Sequence, residues 1–182
     1  GFKFNERDTS AFNFTFPAAL SVHKNDIVVV HFGSSATCKP ANAVSETGTI
    51  TDDPSTTGYA TAWDEYTNTS GMVATTNVLY VSDSTGTIQD AVELSDATST
   101  AAAATLTAAA TIATAAQWDA AVDSATFVSL AVQDSNATST TSTGTTIQRV
   151  NDADTNKKAD WTTGAGVTST WGTINVGQAA LP

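Results

Sequence analysis

The spacing of apolar and polar residues predicts short β-strands along much of the chain. In "FNFTFP" the aromatic rings of Phe12, Phe14 and Phe16 fall on one strand face, and Pro17 ends the run. The continuous apolar run "DIVVVHF", residues 26–32, has the length and the β-branched content of a central strand. Two further runs read as strands by the same criteria, residues 126–132 and 145–150.

The segment "NVLYVSDSTGTIQDAVEL" predicts a β-hairpin. Two alternating runs, residues 78–82 and 87–94, flank Asp83-Ser84-Thr85-Gly86. Gly86 can adopt the positive φ that a tight hairpin loop requires. The two runs are therefore expected to pair as antiparallel neighbours.

An Ala/Thr tract over residues 97–121 predicts one helix inserted between strands. Alanine favours helix, and Leu106, Ala109, Ala110 and Ala113 follow helical spacing. The alternative is a flexible low-complexity linker. Residues 34–62 and the chain after Trp161 are predicted to be loops. Many short strands with one helix indicate a β-sandwich in the all-β class.

Composition limits the partners of the chain. Its 182 residues fit a single domain, and 18 acidic against 7 basic residues give a formal charge of -11. Because the basic residues are scattered, the charge argues against nucleic acid and against anionic lipid. No apolar stretch is long enough to span a bilayer. Since the sequence opens on Gly1 without an initiator Met, we expect a processed or shortened chain.

The stretch "NDADTNKKADW" raises the possibility of a calcium site. Calcium takes about six to eight oxygen ligands, which loops supply at alternating positions. Four residues have the spacing of such ligands: Asp152, Asp154, Asn156 and Asp160. However, Thr163 stands where the closing Glu of a calcium loop would be, and Lys157 and Lys158 add positive charge. The alternative is a polar turn in which Asp and Asn side chains cap backbone N–H groups.

Three other features of the sequence suggest chemistry. Tyr59, Trp63 and Tyr66 lie close in sequence and would stack on sugar rings if they were exposed; alternatively Trp63 plugs one end of the fold. His31 is a candidate general base, although no Gly-x-Ser-x-Gly nucleophile motif accompanies it; alternatively it lies at the end of a core strand. Arg149 shares a strand face with Ile147, so its guanidinium needs a carboxylate or an aromatic ring nearby.

The order of these motifs resembles the lamin tail domain, an immunoglobulin-like β-sandwich of nuclear lamins and secreted bacterial proteins. The resemblance rests on "FTFPAALSVHKNDIVVVHFG", "VLYVSDSTGTIQDAVELSD", "TTIQRVNDADTNKKADWTTG" and "WGTINVG". It implies an immunoglobulin-like sandwich with one inserted helix, in which Arg149 is structural beside Trp161 and pairs with Asp160 or Asp90. The family's opening strands have only a faint counterpart in Phe4-Asn5-Glu6, so an unpaired sheet edge is expected.

Together these patterns predict a non-enzymatic interaction or accessory module of a secreted or surface-exposed bacterial protein. An open sheet edge would recruit a protein partner, upstream strands of the parent protein, or a second copy of the chain. No catalytic residue and no cofactor is predicted, with calcium as the one candidate ion. The first alternative is a carbohydrate- or calcium-dependent ligand-binding module. The second is an enzyme with a loop-built site.

Overall fold

The chain divides into two compact units. Unit 1 comprises Gly1–Thr15 and Val73–Ser169, and unit 2 comprises Phe16–Met72 and Thr170–Pro182. The computed structural model describes residues 1–8, 11–32, 45–47, 61–67, 72, 75–133, 146–150, 152, 154–164, 173–175 and 178–179. The prediction of a single domain over residues 1–182 stays a prediction.

The fold is rich in β-structure and has two short helices. In chain order the strands are β1 Lys3–Arg7, β2 Ala11–Thr15, β3 Val28–Phe32, β4 Trp63–Thr67, β5 Thr76–Ser82, β6 Ile88–Ser95, β7 Val132–Gln133, β8 Thr146–Arg149 and β9 Trp161–Gly164. The helices are α1 Ala103–Thr114 and α2 Ser124–Leu130, and a 3-10 turn spans Lys158–Asp160. No helix in the described ranges is long and apolar enough to cross a membrane.

Unit 1 is built on a five-stranded sheet with the order β2-β1-β5-β6-β7. All neighbours are antiparallel except the short parallel pair β6 and β7. β8 and β9 form a separate antiparallel pair, with Arg149 opposite Trp161. In unit 2, β3 and β4 pair in parallel, with His31 opposite Tyr66.

The predicted hairpin is confirmed as β5 and β6. Gly86 has φ of +90° and leaves open space around its Cα, so the turn uses its conformational freedom. Asp83 holds the turn by accepting hydrogen bonds from the backbone N–H groups of Thr85 and Thr87 at 2.8 and 3.0 Å. The predicted strands at residues 12–17, 26–32 and 145–150 are observed as β2, β3 and β8.

The inserted helix is present but shorter than predicted. α1 occupies only Ala103–Thr114, and Ala116 ends it with φ of +58°. The backbone N–H of Gln117 reaches the carbonyl of Ile112, and that of Ala116 reaches Ala113, which is the Schellman arrangement. The helix therefore ends at an alanine in the left-handed conformation, a position that glycine usually occupies.

A second helix replaces a predicted strand. The run at residues 126–132 was expected to be extended, but Ser124–Leu130 is α2, and only Val132–Gln133 is a strand. The Asp123 side chain caps the helix by accepting from the N–H of Thr126 at 2.7 Å. Phe127, fully buried, and Ala131 are four residues apart and both join the core, so packing favours the helix.

Two further segments differ from the sequence-based expectation. Phe4-Asn5-Glu6 lies within β1, which is a central strand of the sheet and pairs on both sides. Trp161–Gly164 forms β9, although a loop was predicted there. Both strands contain polar or small residues, so hydrophobic alternation does not mark them.

The core of unit 1 lies between the five-stranded sheet and the two helices. α1 packs on β5 and α2 packs on β6. The buried apolar residues are Val78, Ala91, Ala101, Ala108, Ala109, Ile112, Trp118, Ala121, Phe127, Ala131 and Val132. Because many of them are alanines, the larger side chains dominate the burial, and truncating Phe127 to Ala would cost about 3–5 kcal/mol.

Candidate functional site

Arg149 is the centre of the ion-pair cluster in unit 1. Its side chain, 15% exposed, places Nη2 at 3.2 and 3.3 Å from the two carboxylate oxygens of Asp90. Nη1 lies 2.8 Å from Oδ2 of Asp154, and the guanidinium carbon lies 5.1 Å from the centre of the Trp161 ring. One arginine thus links β6, β8, β9 and the turn between the last two.

Asp160 organises that turn. Its carboxylate accepts hydrogen bonds from the backbone N–H groups of Thr155 and Lys157 at 2.7 and 3.3 Å, and from the Thr155 hydroxyl at 2.7 Å. Burial acts to raise the pKa of Asp160, but these hydrogen bonds and the charge of Arg149 outweigh it, so the net pKa is lowered. The carboxylate is therefore held in its ionised form.

Three of the four candidate calcium ligands make contacts within the fold. Asp154 pairs with Arg149, and the carboxylate of Asp160 caps the turn. The Asn156 side-chain amide donates to the carbonyl of Ala116 at 2.8 Å, which ties the turn to the end of α1. Asp152 is exposed. Within the described ranges no group of three His, Cys, Asp or Glu side chains could hold a metal ion.

In unit 2 the aromatic candidates take part in a buried polar cluster. Trp63 and Tyr66 are only 4% and 5% exposed, so neither offers an open ring face to a sugar. Trp63 donates from Nε1 to Asp26 at 3.0 Å. Tyr66 stacks on His31 with ring centres 4.5 Å apart and an interplanar angle of 13°. Tyr59 lies outside the described residues.

His31 forms a close pair with Asp64. Its Nε2 lies 2.7 Å from Oδ1 of Asp64, which is fully buried, and the His31 side chain is 11% exposed. The backbone N–H of Asp64 donates to Glu46 at 3.0 Å. An imidazole oriented by a carboxylate can serve as a general base when a substrate reaches its other nitrogen. Here Tyr66 covers one face of the ring.

One protein family matches the chain. Its model, described only as "protein second domain", covers residues 3–163.

The chain belongs to this family.

No curated protein and no solved structure matches the chain. In this member of the "protein second domain" family, the matched region contains both the Arg149 cluster and the His31–Asp64 pair.

Two glutamates of this family member lie in the interior of the fold. Glu65 and Glu93 are fully buried, and neither carboxyl oxygen of Glu93 accepts a hydrogen bond. Burial raises the pKa of Glu65 to about 7 and that of Glu93 to about 8. The carboxylates of Glu46 and Asp64 add to the rise at Glu65, and Asp119 adds to the rise at Glu93.

The sequence around Glu93 explains why alternation missed it. Along β6, Ile88, Val92 and Leu94 form the apolar face, so Glu93 is expected on the solvent side. Instead the helices cover the face that contains Ala91 and Glu93. The signal available in the sequence was Ala91 on that face, because a small residue allows an alanine-rich helix to approach.

Proposed function

We propose that this chain is a non-enzymatic interaction module, one domain of a larger exported or surface-displayed bacterial protein. The main support is that its charged and titratable side chains make contacts within the fold. Arg149 pairs with Asp90 and Asp154, Asp160 caps a turn, and His31 pairs with Asp64. Within the described residues these groups hold the chain's own elements together.

The family description and the composition support the context of this proposal. A "second domain" is by its name part of a longer protein. Charged residues make up only 14% of the chain, against about 25% in a typical domain, and Thr and Ser take their place. Such a surface suits exposed β-structure, because threonine is β-branched and tolerates solvent. The resemblance to lamin tail domains, many of them in secreted bacterial proteins, points the same way.

For the fold we propose an immunoglobulin-like sandwich of the lamin-tail type. The antiparallel pairs β1–β2, β5–β6 and β8–β9 support it. The parallel pairing of β3 with β4 departs from an immunoglobulin-like arrangement of antiparallel sheets. NMR distance restraints test this point: the β8–β9 pair is expected to face the side of the five-stranded sheet opposite the helices, and its absence from that side would contradict the proposal.

The proposed partner is a polypeptide. It is either another segment of the parent protein or a second copy of this chain, which adds a strand to an open sheet edge. Strand addition draws its affinity from backbone hydrogen bonds, so it suits a surface with few charged side chains.

Surface display and protein binding are tested on intact cells that carry the tagged parent protein. Protease added outside the cells is expected to degrade the chain, while a cytoplasmic protein in the same cells stays whole. A short cross-linker is expected to join the chain to one defined protein. Purified folded chain should compete for that adduct, and heat-unfolded chain should not.

Three outcomes would overturn the proposal. The first is degradation of the chain only after the cells are broken, and the second is an adduct that purified chain leaves unchanged. The third is a hydrolytic activity of the purified chain that disappears in His31→Ala while folding is retained, which would favour the enzyme alternative.

A further inference from the structure

A groove in unit 1 lies between α1 and the sheet. Its volume is about 470 Å³, and it is lined by residues of β1, β2, β5 and α1. Small-molecule sites in proteins have volumes of about 300–1,000 Å³, with mostly apolar walls and a few placed polar groups. The alanines Ala104 and Ala108 give this groove its apolar wall, and Arg7, Tyr80, Thr107 and Thr111 add polar groups.

Arg7 is a half-buried cation without a carboxylate partner. Within the described residues its hydrogen bond from Nη1 goes to the backbone carbonyl of Glu6, at 3.3 Å, and no carboxylate lies within 4.0 Å of its guanidinium. The chain has 18 acidic residues, yet none of those described occupies this position. Arginine keeps its charge at any ordinary pH and binds carboxylates through two parallel hydrogen bonds.

The second arginine of the chain provides an internal comparison. Arg149 is bound by Asp90 and Asp154 and lies against Trp161, so its donors are used within the fold. Arg7 instead faces a groove large enough for a ligand. The difference indicates that no described residue supplies the counter-charge of Arg7, which leaves its guanidinium available to a ligand.

The helix side of the groove offers hydrogen-bond acceptors. The hydroxyls of Thr107 and Thr111 donate their protons to the carbonyls of Ala103 and Thr107, each at 2.9 Å. Their oxygen lone pairs therefore remain to accept a hydrogen bond from a ligand. A ligand that matches both walls carries a carboxylate at one end and a hydroxyl or amino donor at the other.

We propose that this groove binds a small organic carboxylate that also carries a hydroxyl group, with its carboxylate on Arg7 and its hydroxyl facing α1. The apolar part of the ligand lies on Ala104 and Ala108. This site can be tested separately from the proposed role in protein interaction, because its charge comes from Arg7 on β1, which is paired on both sides, and it uses no residue of the Arg149 cluster.

The test uses 4-hydroxybenzoate as the probe, titrated into the whole chain and followed by amide chemical shifts and calorimetry. Shifts are expected at Arg7 and along Ala104–Thr111. Two analogues separate the two ends of the site. Benzoate lacks the hydroxyl and should bind more weakly, and 4-hydroxybenzyl alcohol lacks the charge and should bind weakest.

Variants test whether Arg7 supplies the positive charge that binds the carboxylate of the probe. Arg7→Gln should weaken binding of 4-hydroxybenzoate by about tenfold or more, as expected for a lost charge-assisted hydrogen bond. Lys3→Gln is the matched control, because it removes a cation from the same strand outside the groove and should leave the affinity unchanged. Thr111→Val should reduce the affinity for 4-hydroxybenzoate to that for benzoate.

If Arg7→Gln fails to fold, Arg7→Lys takes its place, since it keeps the charge and loses the paired hydrogen bonds. The proposal is overturned if 4-hydroxybenzoate does not bind, or if the neutral alcohol binds equally well. It is also overturned if Lys3→Gln reduces binding as much as the Arg7 variant does, which would mark a general charge effect.

Discussion

The carboxyl groups of Asp160 and Glu93 are both buried in unit 1, and their surroundings are opposite. Asp160 is 5% exposed and accepts hydrogen bonds from Thr155 and Lys157, with Arg149 nearby. Glu93 is fully buried, and neither of its oxygens accepts a hydrogen bond. The pKa is lowered at Asp160 and raised to about 8 at Glu93. Burial alone therefore does not decide ionisation; the donors around the group do.

The elements around Glu93 supply nothing that would stabilise its charge. Neither α1 nor α2 contains an ionisable residue, and β7 consists of Val132 and Gln133. On β5, Val78 stands opposite Glu93, and Tyr80 is the nearest ionisable residue on the same face. Asp119 is the charge that acts on Glu93, and it is repulsive. Glu93 is therefore a neutral acid at neutral pH.

The largest expected effect is a loss of stability as Glu93 ionises. In the unfolded chain Glu93 releases its proton near pH 4.5, whereas the folded chain retains it until about pH 8. Between these values the unfolded state binds fewer protons, so the free energy of unfolding decreases by about 1.4 kcal/mol per pH unit. Glu93→Gln should remove this slope, equalling the natural chain below pH 4.5 and exceeding it above pH 8.

Urea denaturation across this pH range measures the effect. Glu65→Gln is the matched control, because Glu65 is a buried glutamate of unit 2 with its own pKa of about 7. It should remove a separate part of the slope and leave the Glu93 contribution intact. If Glu93→Gln has the same slope as the natural chain, the pKa of Glu93 is not raised in the folded state. The contrast between Glu93 and Asp160 would then be wrong.

The next largest effect is expected at Asp160, whose carboxylate accepts hydrogen bonds within the turn. Asp160→Asn keeps the shape of the side chain but removes the negative charge that orders the turn, and it should cost about 2–3 kcal/mol. The sign of the pH dependence is opposite to that at Glu93. Since the folded pKa of Asp160 is lowered, its stabilisation is present above the ordinary Asp pKa and is lost as pH falls through the folded value.

Thermal unfolding at neutral and at acid pH checks the Asp160 variant. The difference from the natural chain should shrink at acid pH, where Asp160 itself becomes protonated. A variant that is equally destabilised at both pH values would show that the turn depends on shape and not on the charge of Asp160.

A smaller effect is expected at the helix that covers the Glu93 strand. Asp123→Ala removes the N-cap of α2, which packs on β6, and should cost about 1 kcal/mol. Asp123→Asn is the control and should retain most of the stability, because asparagine caps helices equally well. Amide hydrogen exchange within Ser124–Leu130 should rise in the first variant alone. Unchanged exchange would contradict the cap.

Local signals determined which parts of the fold were predictable. The β5–β6 hairpin was predictable because its turn depends on Asp83 and Gly86 themselves. The predicted strand at residues 126–132 was wrong because a short apolar run fits strand and helix equally. The Asp123 cap and the spacing of Phe127 and Ala131 favour α2 only when they are read together with the core.

The candidate site was predictable only in part. The need of Arg149 for a carboxylate or a ring followed from its charge, and the structure places Asp90, Asp154 and Trp161 around it. All five residues of β4 are buried, although two of them are acidic. Hydrophobic alternation does not predict that Asp64 and Glu65 are buried. Their burial depends on which elements pack over them, and that information is tertiary.

The smallest expected effect is at Asp154, and it separates the charge of the turn from its backbone order. Asp154 is 46% exposed, so its pair with Arg149 is screened by water, and Asp154→Asn should cost less than about 1 kcal/mol. Asp90 still holds the guanidinium in this variant, and Asp160 still caps the turn. Thermal unfolding of the Asp154 and Asp160 variants side by side should show the larger loss for Asp160. A loss at Asp154 that equals or exceeds that at Asp160 would mean that the ion pair, and not the capped backbone, orders the turn.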